Sequence, residues 1–268
     1  MKQVIIIGIL ALAIALSIVF ITQYPPQTPG TTSSTTPTTP QQVTSPSSIT
    51  SSTSATPGAS GGKLAVKGIS FNDLVEGFNH LMVRYEHYNA TSEEITTVVF
   101  TYDKSIEEFN GTQVYKLVFT QEIIGKNTST VTMWVSMDLS RIIQIEVGGR
   151  VYSGAMAQYG GAQVVRVVNY LLAITGEQSL SIDEATAKVI LAKNGWILEN
   201  YGPTNLEISG KSYSGYTYVA RNVNDNSSNV TKIAGAIVKL KNTIYSIVKI
   251  RADFSDGDYV TFEVTELE

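Results

Sequence analysis

Two spacings of apolar side chains alternate along residues 71–268, and each change of spacing predicts a change of element. In "SFNDLVEGFNHLMVRYEHYN", Phe71, Leu74, Val75, Phe78, Leu81, Met82, Tyr85 and Tyr88 recur in steps of three and four. That pattern predicts one helix with a single apolar face. From Ile95 the step becomes two, and "ITTVVFTYD", "TQVYKLVFTQEII" and "STVTMWVSMD" read as strands. "RIIQIEV" and "RVYSG" follow around Gly148-Gly149, a pair suited to a tight hairpin with positive φ.

The helical step returns in "AQVVRVVNYLLAIT", which stops at Gly176. Ser181 and Glu184 form a capping box for "IDEATAKVILAK", which stops at Asn194-Gly195. Strand patterns then resume: "GWILENY", "YSGYTYVARNV", "TKIAGAIVKLK", "TIYSIVKIRADF" and "YVTFEVTEL", with Asp256-Gly257 as the last hairpin turn. The strand blocks parallel each other, "EFNGTQVYKLVFTQEI" with "EISGKSYSGYTYVARNV" and "VSMDLSRIIQIEV" with "VKLKNTIYSIVKI". Duplication and the general likeness of hairpins both account for that. The expected fold is α+β: a large antiparallel sheet, flat or curved, with about three helices on one face.

Before residue 63 neither spacing occurs. Val4 to Ile21 is continuously apolar except for Ser17, and at about 1.5 Å per residue it spans roughly 27 Å, a bilayer's hydrocarbon thickness. Lys2 precedes it and no basic residue follows until Lys63, so the charge bias keeps the N-terminus cytoplasmic. A transmembrane signal-anchor over residues 1–24 is the expectation. A cleaved signal peptide competes with it, although small-x-small sites fall only inside the apolar run, and so does a pilin-type leader cut ahead of the helix. Residues 25–62 hold 20 Ser/Thr and seven of the eight prolines. So little apolar surface cannot offset the entropy of folding, and the segment is expected to be a disordered stalk. In polyproline II it reaches on the order of 100 Å, and its composition is that of O-glycosylated stalks. Residues 63–268 are then one extracytoplasmic domain, large enough for its own core.

Charge and composition remove several functions. The chain carries a formal charge of −4 and no Lys/Arg cluster, so no nucleic-acid partner is expected. There is no cysteine, which excludes disulfides, thiolate metal sites, a cysteine nucleophile and a lipidated cysteine. No cofactor is expected. Gly-x-Ser-x-Gly is absent, and both histidines fall in the first predicted helix, so no catalytic residue is assigned. Glu76, His80 and His87 lie opposite its apolar stripe, where a solvated face explains them better than a metal site does. "SGKS" at Ser209–Ser212 lacks the first glycine of a phosphate loop, since position 205 is Asn205, and it reads as a turn. Asp253, Asp256, Asp258 and Glu263 miss the alternate spacing of a calcium loop. No metal is expected. N-glycosylation sequons occur at Asn89, Asn110, Asn127, Asn226 and Asn229, each at a predicted turn. Tyr213, Tyr216 and Tyr218 share one strand, where core packing and the lining of a carbohydrate or lipid cleft both employ tyrosine.

The anchor, stalk and sequon-bearing β domain together resemble cell-surface glycoproteins of thermophilic archaea. The order of elements over residues 68–268, above all "TVTMWVSMDLSRIIQIEVGGRVY", is similar to the strand–turn–strand passage of LolA/LppX-type lipoprotein carriers. In this chain Leu139, not proline, follows the turn residue Asp138. The second resemblance implies a curved sheet with helical plugs that holds acyl chains. The expected protein is a non-enzymatic, single-pass plasma-membrane protein whose extracellular domain binds a lipid-like ligand or another envelope component. A structural or pilin-like subunit is the first alternative, a secreted enzyme or toxin the second.

Overall fold

The change of spacing at the start of the domain comes earlier than the sequence predicts. In the computed structural model, which describes residues 69–172, 184–193, 195–223, 230–241 and 244–268, the first helix ends after two turns. This helix, α1, runs over Phe71–Gly77, and His80–Asn89 is a strand, β1. Ser70 starts α1 with a capping box: its Oγ accepts from Asp73 N while its own N donates to Asp73 Oδ2. After Gly77 the buried residues are Leu81, Val83 and Tyr85, at spacing two. The chance presence of Met82 and Tyr88 made three-and-four steps fit as well. Strand pairing on both sides decided the matter, since β1 pairs with neighbours along nearly its whole length.

The remaining strands are β2 Glu94–Phe109, β3 Thr112–Ile123, β4 Asn127–Ser136, β5 Ile142–Val147, β6 Arg150–Ser153, β7 Trp196–Ile208, β8 Lys211–Asn222, β9 Val230–Lys241, β10 Ile244–Phe254 and β11 Tyr259–Leu267. Two further helices, α2 (Gly154–Leu172) and α3 (Glu184–Lys193), separate β6 from β7. The expected strands and both later helices are present. Gly176, Ser181, Asn194, Asn226, Asn229 and the whole of residues 1–68, anchor and stalk included, lie outside the described residues. No helix among the described residues is long and apolar enough to cross a membrane.

All eleven strands form one antiparallel sheet in the order β6-β5-β4-β3-β2-β1-β11-β10-β9-β8-β7. The first and last strands are thus neighbours at its centre, while β6 and β7 are its two outer edges. Ten gaps of about 4.8 Å separate those edges by roughly 48 Å if the sheet were flat. The chain passes from one edge to the other between β6 and β7, and the helices on that passage pack near its ends, α2 against β5 and β6 and α3 against β7. Pro203 sits inside β7 at no cost to the ladder because β7 is an edge strand.

The sheet is curled, not flat. Although β10, β9 and β8 intervene, the β7–β8 turn reaches back to β11, where Leu267 N donates to Ser209 Oγ at 2.8 Å. A bulge at Ile247/Lys249 helps β10 turn away from β11. Inside this bend Ile208, Ala236, Val238 and Val248 join the main core. Ala236, Ile237 and Val238 are consecutive and all buried, as are Ser246, Ile247 and Val248. Successive strand residues point to opposite faces, so both faces are covered there.

The main core is aromatic at its centre. Phe119 lies 6.3 Å from Phe71 of α1, 6.2 Å from Phe100 and 5.4 Å from Tyr102. α1 is tied to α2 by Phe71 N, which donates to Asn169 Oδ1, and to β2 by Lys104 Nζ, which donates to Val75 O. Gly161 lets α2 lie directly on Ile142 of β5; a methyl group there would collide with that side chain. A second, smaller core holds Ala187 of α3 with Leu198, Tyr218, Ile237 and Ile247.

Candidate functional site

Residues directly opposed in neighbouring strands share a face, so the pairing register shows which side chains line up. One such row is apolar across eight strands: Ile123, Val98, Tyr85, Phe262, Ile250, Gly235, Tyr218 and Tyr201. Tyr85 and Phe262 meet edge to face at 5.3 Å. The Tyr218 ring lies over Gly235, where an added Cβ would come within 2.6 Å of it. The row therefore continues across the glycine.

This row links the two cores. Tyr85, Val98 and Phe262 belong to the core under α1 and α2, and Tyr218 to the core under α3. Ile250 packs against both, yet it is only half-buried. Ile233, in the adjacent row, is half-buried as well. That adjacent row runs Thr96, His87, Val260, Ala252, Ile233, Ala220 and Leu198. The helical covers thus sit at the two ends of an apolar surface whose middle remains accessible. Burial pushes the Tyr85 hydroxyl well above its ordinary pKa and that of Tyr218 up to about 12, so both stay neutral.

The two histidines do not share a face. Seven residues apart on a strand, they point to opposite sides. His80 is gripped from both flanks: Nδ1 lies 2.7 Å from Asp103 Oδ1 and Nε2 lies 3.1 Å from Glu266 Oε2. Partial burial lowers its pKa, but these two carboxylates outweigh that and raise it overall. His87 is on the side of Tyr85 and the apolar row. Its Nε2 lies 3.5 Å from Asp258 Oδ2, and the other oxygen of Asp258 accepts from Ala90 N. The expected solvated helix face is therefore replaced by a strand on which two carboxylates grip the His80 ring, while the buried Nε2 of His87 makes no hydrogen bond among the described residues. Glu76 is exposed on α1. No group of three or more His, Asp or Glu suited to a metal occurs among the described residues.

The other singled-out positions fall in turns and strands. Ser209 and Gly210 have φ of 51° and 71° and make the β7–β8 turn, so "SGKS" is a hairpin. Gly257, with φ 90°, turns β10 into β11. Asn89 folds its Oδ1 onto Thr91 N and Ser92 N. Asn110, exposed with φ 50°, forms the β2–β3 turn with Gly111, and Asn127 is exposed at the start of β4. Asp138 accepts from Ser136 Oγ, Ser140 N and Ser140 Oγ, which hold its carboxyl down to about 2. Leu139 in that turn has φ 58°, an angle proline cannot adopt.

A groove of about 430 Å³ lies on the β7–β8 hairpin, lined by Pro203, Thr204, Asn205, Ser214, Gly215 and Tyr216. Its wall is an aromatic stack, Tyr201 on Tyr216, at 5.3 Å and 17°. A methyl group at Gly215 would collide with the Ile237 carbonyl oxygen, so glycine is required for β8 to approach β9. The sequence pointed to Tyr216 but not to Asn205 or Ser214, whose proximity depends on the hairpin register.

No family model matches the sequence, and no curated protein matches it either. Several solved structures are similar in outline. One is a DUF1329 family protein from Desulfovibrio piger, at 9% identity over 72% of this chain and 87% of that one, with a TM-score of 0.25. Another is the lipoprotein LppX of Mycobacterium tuberculosis, at 10% identity, 72% and 87% coverage and a TM-score of 0.26. A third is the MucA/MucB complex of Pseudomonas aeruginosa, at 14% identity, 70% and 51% coverage and a TM-score of 0.27. At these scores nothing about ligand or partner is carried over.

Proposed function

We propose that residues 63–268 form a non-catalytic binding domain that takes an elongated apolar or amphiphilic molecule along the row from Tyr85 to Tyr201. The observation that carries this reading is Ile250: it touches both cores but is closed off by neither. Each Å² of apolar surface left facing water forgoes about 25 cal/mol. A hydrocarbon chain laid over Ile250, Ile233 and Ala252 recovers that energy, and the flanking helices confine it lengthwise. In this reading Val4–Ile21 anchors the protein in the plasma membrane with its N-terminus cytoplasmic, and the Ser/Thr/Pro-rich segment carries the domain outward.

The test is native mass spectrometry on the full chain, purified in mild detergent and then transferred out of it. The expected spectrum shows the protein with an added apolar molecule that organic solvent extracts. The reading is wrong if the bare mass alone appears and added hexadecanoic acid is not taken up.

A further inference from the structure

The β7–β8 groove differs in chemistry from the apolar row, and we propose that it is a binding site for a neutral hexopyranose ring. Three features argue for a sugar. The groove offers an aromatic wall, the Tyr201–Tyr216 stack, whose electron-rich face attracts the C–H edge of a pyranose. On the same face as that wall it offers the Asn205 amide and the Ser214 hydroxyl, which together donate and accept as adjacent sugar hydroxyls require. Neither of these side chains makes a hydrogen bond within the described residues, so both keep their full capacity for a ligand. The volume, about 430 Å³, falls at the small end of ligand pockets.

The charge pattern argues for a neutral ring. No charged side chain lines the groove. Exposure alternates along β7, with Pro203, Asn205 and Glu207 outward and Thr204, Leu206 and Ile208 less exposed. Glu207 therefore follows Asn205 on the groove's own face, and its carboxylate disfavours uronates and phosphates. Gly215 fixes the depth, because no larger residue lets β8 sit so close to β9.

The groove meets the apolar row at Tyr201, but Ile250, Ile233 and Ala252 do not line it, so either site can fail alone. A free or protein-linked glycan and a glycolipid headgroup present the same ring chemistry. The experiment is saturation-transfer NMR on the full chain in a zwitterionic, sugar-free detergent. The probes are the methyl pyranosides of glucose, galactose, mannose and N-acetylglucosamine, methyl glucuronide, and the matching octyl glycosides. At least one neutral methyl glycoside is expected to bind, and the glucuronide several-fold more weakly. Tyr216→Leu should weaken binding at least tenfold and Asn205→Ala about threefold. Asn205 is exposed, so the second variant separates loss of the site from loss of folding. Tighter binding of the octyl than of the methyl glycoside, lost in Ile250→Lys, identifies a glycolipid; equal binding identifies a free or protein-linked glycan. Saturation transfer from none of the neutral glycosides, or binding unchanged in both groove variants, overturns the proposal.

Discussion

Gly235 and Tyr218 set the continuity of the apolar row, because one side chain occupies the space over the other's missing Cβ. Gly235→Val drives a branched side chain into the Tyr218 ring, 2.6 Å from where Cβ must stand. Overpacking of this kind costs about 1–3 kcal/mol, and urea unfolding should show a loss of that size with an unchanged slope. His80 supplies a second prediction. Its pKa is raised above 6.5 by Asp103 and Glu266. The stability it contributes is therefore complete below its unfolded pKa and is lost as pH rises through the higher folded value. The difference in unfolding free energy between wild type and His80→Gln should shrink as pH rises from about 5.5 to about 8.5. At so open a site the difference stays below about 1 kcal/mol; one that grows with pH would contradict the assignment. Both histidines were visible in the sequence, but their partners were not. Asp103 and Glu266 come from residues 23 and 186 positions away, and only the register of β1 with β2 and β11 brings them together.

At the scale of single elements, α1 shows how a short helix can be held at both ends. Ser70 caps its start, Asn169 of α2 accepts from Phe71 N, and Lys104 takes the Val75 carbonyl. Ser70→Ala should cost about 1 kcal/mol, seen in urea unfolding, with faster amide exchange confined to residues 71–77. The strands and hairpins were legible because alternation and turn residues are local signals: Asn110-Gly111, Gly148-Gly149 and Ser209-Gly210 all have positive φ as hairpin turns require. The helix expected through Tyr88 was misread because its apolar residues fit both spacings, and pairing partners far along the chain settled the choice. The paired hairpins β2–β3 and β7–β8 share such a two-residue turn, so their likeness in sequence has a physical counterpart.

For the whole molecule the governing fact is that β1 and β11 meet at the sheet's centre while α2 lies against β5 and β6 and α3 against β7, toward its two edges. Composition and spacing announced a large antiparallel sheet with helices on a face. They could not announce the strand order, the curl that brings Ser209 to Leu267, or the row through Ile250, since each depends on contacts between distant residues. The anchored topology makes its own prediction. Protease added to intact cells should remove the domain from the membrane by cutting between residues 25 and 62, and protection of the domain would place it inside. The row itself is tested most directly by titrating detergent-free protein with pyrene-labelled hexadecanoic acid and comparing wild type with Ile250→Lys. The account predicts saturable binding by wild type and at least tenfold weaker binding by the variant, with both unfolding cooperatively. Equal affinity in the two proteins, or no saturable binding by wild type, would contradict it.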